Sequence, residues 1–115
     1  MAARTDSNQR EIVAALRQAG FSVCILSAAG HGGVAGCPDL VVGGPSRDQD
    51  YQADTHWANG AAFNWLLEVK APGGKLTPDQ VKWHASWRGQ VAIVRSVDDA
   101  LRVVGALSQR TITSE

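Results

Sequence analysis

The most regular alternation of apolar and polar residues lies in Ala62-Phe63-Asn64-Trp65-Leu66-Leu67-Glu68-Val69-Lys70. Successive strand side chains point to opposite faces. Phe63, Trp65, Leu67 and Val69 therefore make one apolar face, and Asn64, Leu66, Glu68 and Lys70 turn the other way. The pattern predicts a central strand with one face in the core and the other ending in a carboxylate and an ammonium. Two residues of rise separate the Cα atoms of Glu68 and Lys70 by about 6.5–7 Å. Both side chains can then converge on one attacking water.

Before this strand, Ile12, Ala15, Leu16 and Ala19 repeat at helical spacing, with Asp6 or Ser7 as the expected N-cap and Gly20 at the C′ position. Glu11 falls at the border of the helix's buried stripe, where a solvated carboxylate is also at home. Phe21, Val23 and Ile25 alternate with Ser22 and Cys24 as a first strand, and residues 27–36 follow as a glycine-rich loop carrying His31 and Gly32. Pro38 is unsuited to a central ladder position, so the next strand is expected from Asp39 onward. Asp39 there suits a turn as well as a ligand. Residues 44–61 are polar and lack periodicity, and they are expected to project from an antiparallel hairpin as a long arm that includes Tyr51, His56 and Trp57.

After Lys70 the helix-start signals accumulate. Thr77 as N-cap, Pro78 at N1 and Gln80 at N3 write a capping box, with Leu76 and Val81 placed as a hydrophobic staple. The helix is expected to reach about Gly89, with Gln80, Trp83, His84 and Trp87 on one face and the two tryptophans packed on the sheet. Residues 90–95 read as a strand, and 96–99 open a last helix with Val97, Ala100, Leu101, Val104 and Leu107 inward. The predicted order is α-β-β-β-α-β-α.

Composition narrows the class. A chain of 115 residues is one domain, and 44% hydrophobic with 19% charged residues is ordinary for a soluble globule. The formal net charge of zero argues against a non-specific polyanion coat, yet acidic metal ligands can offset basic residues in an enzyme of nucleic acids. No run is long and apolar enough to span a membrane, and the N-terminus reads as a helix lead-in rather than a signal sequence, so a cytoplasmic protein without membrane contact is expected. Cys24 and Cys37 have neither zinc nor redox spacing and are expected as reduced thiols. His31-Gly32-Gly33 invites comparison with a lipase oxyanion loop, but no Gly-x-Ser-x-Gly elbow accompanies it.

Gly36-Cys37-Pro38-Asp39-Leu40, Leu67-Glu68-Val69-Lys70, Gly74-Lys75-Leu76-Thr77-Pro78-Asp79-Gln80 and Val91-Ala92-Ile93-Val94-Arg95-Ser96 follow one another in this order with the expected elements between them. This series resembles the PD-(D/E)XK nuclease superfamily and, within it, the virus-type replication-repair nuclease (VRR-NUC) domain, over about residues 8–107. Two departures stand out: Val94-Arg95-Ser96 replaces the family's Val-Arg-Arg, and the arm at 44–61 is long. The resemblance implies an α/β restriction-endonuclease-like mixed sheet flanked by helices, with all of 1–115 as a single nuclease domain. It further implies a metal-dependent DNA endonuclease acting in DNA repair on branched DNA such as a Holliday junction, as a homodimer, encoded by a bacterium or phage.

The chemistry accounts for these residue types. Phosphodiester hydrolysis calls for a cation that neutralises phosphoryl charge and acidifies an attacking water. Hard oxygen donors suit Mg²⁺ or Mn²⁺, with Asp39, Glu68 and the carbonyl of Val69 as the candidate ligands. Lys70 would orient or deprotonate the water. The resemblance adds Glu11, acting through the metal or its waters, and Gln80, orienting Lys70 or substrate. His31, Gly32, Lys75 and His84 are the candidate substrate contacts. The rival reading is a catalytically weak nucleic-acid-binding module that has kept a metal site.

Overall fold

In the computed structural model, which describes residues 8–45 and 62–107, four strands form one mixed sheet in the order β1-β2-β3-β4, and three α-helices join them. The elements are α1 (Gln9–Gln18), β1 (Ser22–Ile25), β2 (Leu40–Pro45), β3 (Ala62–Val69), α2 (Pro78–Ser86), β4 (Ala92–Val94) and α3 (Val97–Val103). This is the expected element order. One addition is a 3-10 helix at Ser27–Gly33, where a loop was expected.

The start of α1 differs from expectation. Asp6 and Ser7 lie outside the described residues; Asn8 occupies the N-cap position but makes no side-chain cap hydrogen bond, because its backbone is helical rather than extended and its Nδ2 is turned to Lys70 O and Arg95 O. The helix ends as predicted: Gly20 has φ +100°, Gly20 N–H donates to Arg17 O and Phe21 N–H to Leu16 O, the paired bonds of a Schellman motif.

β1–β2 and β2–β3 pair antiparallel, the second from Leu40↔Leu67 out to Pro45↔Ala62, so β2 and β3 are the expected hairpin partners. Residues 46–61, with Tyr51, His56 and Trp57, lie outside the described residues. β4 joins parallel to β3 over Leu67–Val69 alone, with α2 as the crossover. It is shorter than the predicted 90–95.

The core collects Ile12, Val13 and Leu16 of α1, Leu40 and Val42 of β2, Trp65, Leu67 and Val69 of β3, Val94, and Ala100 with Val104 at α3. The helical stripe and the odd positions of β3 thus meet as the periodicity required. Trp83 and Trp87 correct the packing expectation. No α2 residue is buried, Trp87 is 44% exposed, and the helix ends at Ser86 rather than near Gly89. The cause lies in composition: α2's inward positions are Gln80 and His84, which are used by a polar group on the sheet. Val81 is 52% exposed and so buries no staple. Both cysteines are free, Cys24 on the exposed side of β1.

Candidate functional site

Glu68 is the residue around which the site is built. It projects from β3 opposite Leu67 and Val69, yet only 1% of it is exposed. A carboxylate so buried needs partners, and α2 supplies them. Gln80 Nε2 donates to Glu68 Oε2 at 3.1 Å, and His84 Nε2 lies 3.4 Å from Glu68 Oε1. Gln80 can do this because the capping box fixes its other end: Oε1 accepts from Thr77 N–H at 2.9 Å while Thr77 Oγ1 accepts from Gln80 N–H. Gln80 therefore faces Glu68, not Lys70.

His84 has a pKa below its ordinary 6.5, first because it is desolvated and second because the Lys70 ammonium is near. At neutral pH its contact with Glu68 is a hydrogen bond from the neutral imidazole, when Nε2 carries the proton, rather than an ion pair. Lys70, on the same strand face as Glu68, shares this neighbourhood.

Asp39 arrives from the start of β2. Its Oδ2 accepts from Val69 N–H at 2.8 Å, which places one carboxylate against the peptide linking Glu68 to Val69. Its backbone is pinned too: Asp39 N–H donates to Leu67 O, and Asp39 O accepts from Leu26 and Ser27. The loop before it can press against α2 only because residue 36 is glycine. Gly36 has φ +83°, and a Cβ there would collide with the carbonyl oxygen of Asp79. Cys37, in the same loop, has its thiol pKa raised by burial and then by the charges of Glu68 and Asp39, which marks all three as neighbours.

Asn8 is a site residue that the sequence reading missed. Its Nδ2 donates to Lys70 O at 3.2 Å and Arg95 O at 3.0 Å, clasping the chain ends where β3 and β4 diverge. Arg95 in turn donates from Nη2 to Gly74 O at 2.7 Å and holds the turn after Lys70. Asn8's place beside a helix start was the available signal, but it pointed to a cap.

The structure thus brings together Asp39, Glu68, Val69, Lys70, Gln80 and His84. Glu11 stands exposed on the first turn of α1 and is tied to neither carboxylate by the described hydrogen bonds. Lys75 is exposed in the following turn. The backbone of His31 and Gly32 belongs to the 3-10 helix, and the side chain of His31 lies outside the described residues.

Among the described residues no group of three or more His, Cys, Asp or Glu is arranged to hold a metal ion. The donor chemistry nonetheless suits a hard divalent cation. Mg²⁺ commonly takes one or two protein carboxylates and keeps several waters, and carboxylate oxygens that already accept one hydrogen bond retain lone pairs. Asp39, Glu68 and the Val69 carbonyl are oxygen donors of that kind. Compared with protein-family models, curated proteins and solved structures, the chain has no significant match. No helix among the described residues is long and apolar enough to cross a membrane.

Proposed function

We propose that this chain is a divalent-metal-dependent DNA endonuclease with a restriction-endonuclease-like arrangement akin to VRR-NUC domains, hydrolysing phosphodiesters of branched DNA as an intracellular homodimer. The observation that carries the reading is the 2.8 Å hydrogen bond from Val69 N–H to Asp39 Oδ2. It joins residues 30 positions apart in sequence so that two carboxylates flank one peptide, with Lys70 immediately beyond.

Asp39, Glu68 and the Val69 carbonyl would hold Mg²⁺ or Mn²⁺. When bound, the ion neutralises charge on the phosphoryl oxygens and makes water more acidic. Gln80 and His84 keep Glu68 in one orientation. The root of Lys70 is fixed on both sides, by Lys70 N–H to Val94 O at 3.0 Å and by Asn8 to Lys70 O. Its ammonium then orients the attacking water and stabilises charge that develops on the phosphate. Glu11 contributes from the periphery through water, and Lys75 meets the DNA backbone.

Incubation with labelled linear, flapped and four-way DNA in Mg²⁺, Mn²⁺ or chelator tests the proposal. Metal-dependent cleavage is expected, falling by about a hundredfold or more in Asp39→Ala, Glu68→Ala or Lys70→Ala because the residues act as a unit. Wild-type rates in Asp39→Ala with an unchanged circular dichroism spectrum would refute it. One observation favours the binding-module alternative: both oxygens of Glu68 are already engaged by protein groups. That alternative requires DNA binding without cleavage under every metal condition.

A further inference from the structure

We infer that the groove between the first half of β3 and the C-terminal end of α2 binds a single unstacked nucleobase, with the indole of Trp87 as its stacking face. The identity of the occupant rests on the nuclease reading above. The groove itself does not.

Its origin is topological. β4 pairs with β3 only from Leu67 onward, so the edge of β3 beside Asn64, Trp65 and Leu66 has no β4 partner. The space left is a groove of about 430 Å³ lined by Asn64, Trp65, Leu66, Trp87, Gly89 and Gln90. That volume lies within the ~300–1,000 Å³ usual for small-ligand sites.

Each wall has the chemistry a base requires. Trp87 leaves 44% of its surface in solvent, a costly exposure for an indole, and it is held in one orientation by stacking on Trp83 with centroids 4.6 Å apart and planes 16° from parallel. Gly89 leaves the indole room, since a Cβ there would come within 2.9 Å of Trp87 Nε1. Asn64 and Gln90 are exposed amides, each able to donate and accept at the edge of a base without demanding one particular base. Among the described residues no carboxylate lines the groove, and the exposed cation Arg88 sits between Trp87 and Gly89 in sequence. An aromatic face with a cation beside it is how single strands are gripped without sequence preference.

Position supplies the link to the site. Asn64, Leu66 and Glu68 share one face of β3 at steps of about 7 Å. On α2, Gln80 and His84 touch Glu68 and Trp87 follows three residues later. Strand and helix therefore run side by side from the Glu68 contacts to the indole, and the groove opens at the far end of that pair. A base held at Trp87 belongs to a nucleotide adjacent to the one whose phosphate lies at Glu68, so the favoured substrate has unpaired nucleotides next to the cut, as in a flap or gap.

The test is fluorescence polarisation of labelled DNA with the full chain in chelator, where nothing is cut. The two probes are a duplex with a single-stranded overhang and the same duplex with abasic residues in that overhang. Wild type is expected to bind the intact overhang about tenfold more tightly. Trp87→Ala should abolish that preference, and Trp87→Tyr should retain most of it. Equal binding of the two probes by wild type, or a preference that survives in Trp87→Ala, overturns the inference. So does a dimer that becomes monomeric by light scattering in Trp87→Ala, since the face would then be an interface between copies. Metal-dependent cleavage without base preference removes this inference and leaves the nuclease reading; absence of DNA binding and of cleavage removes both.

Discussion

Gln80 meets two demands with one amide, and substitution separates them. Glutamate would cap Thr77 as well as glutamine does, but it would set a second carboxylate against buried Glu68 where Nε2 now donates at 3.1 Å. Gln80→Glu is therefore expected to cost on the order of 1–3 kcal/mol at about pH 8. The loss should shrink towards about pH 5. One of two touching carboxyls has a raised folded pKa, and the stability this lends is present at low pH and disappears as pH rises through that value. Thermal melts at both pH values check this; a deficit independent of pH counts against the contact. His84 gives the opposite sign. Its folded pKa is depressed below 6.5 by desolvation and by Lys70, so its contribution to stability is whole above the unfolded value and is lost as pH falls through the folded one. His84→Gln should flatten the acid limb of a urea-midpoint profile between about pH 7.5 and 5.

At the scale of elements, the Gly36 loop and α2 are a matched pair. Gly36→Ala meets both a left-handed φ of +83° and the carbonyl of Asp79, so a loss of about 2 kcal/mol or more is expected, roughly a 10 °C fall in melting temperature. A calorimetric scan reads it directly, and a fall under a few degrees would mean that the loop moves freely off the helix. Elements with local signals were legible in the sequence. The capping box of α2, the Schellman glycine of α1 and the alternation of β3 all appear as written, because neighbours within a few residues decide them. The antiparallel pairing of the strand that follows Asp39 with the strand of Glu68 was legible as well, because the intervening arm has to return as a hairpin. The stacking of half-buried Trp83 on exposed Trp87 was not, since helical spacing reveals that residues share a face but not what that face meets. Asn8 was missed for a related reason: its two acceptors lie 62 and 87 residues away.

For the whole molecule, metal and stability are linked if Asp39 and Glu68 share an ion. At a hundredfold excess over the dissociation constant, Mg²⁺ or Mn²⁺ should stabilise the fold by about 2.7 kcal/mol. Asp39→Asn can keep the acceptor for Val69 N–H, so its melting temperature without metal should match wild type while most of the metal-induced rise disappears; an undiminished rise would place the ion elsewhere. Asn8 carries a further consequence, one of time rather than affinity. Its amide joins the residue before α1 to the ends of β3 and β4, contacts of such sequence separation that loop-closure entropy delays them. They should form after the rate-limiting barrier. Asn8→Ala is then expected to leave the refolding limb of a chevron nearly unmoved and to accelerate unfolding by about tenfold, a φ-value near zero. The clasp would set how long the folded chain lasts, and hardly how fast it is reached.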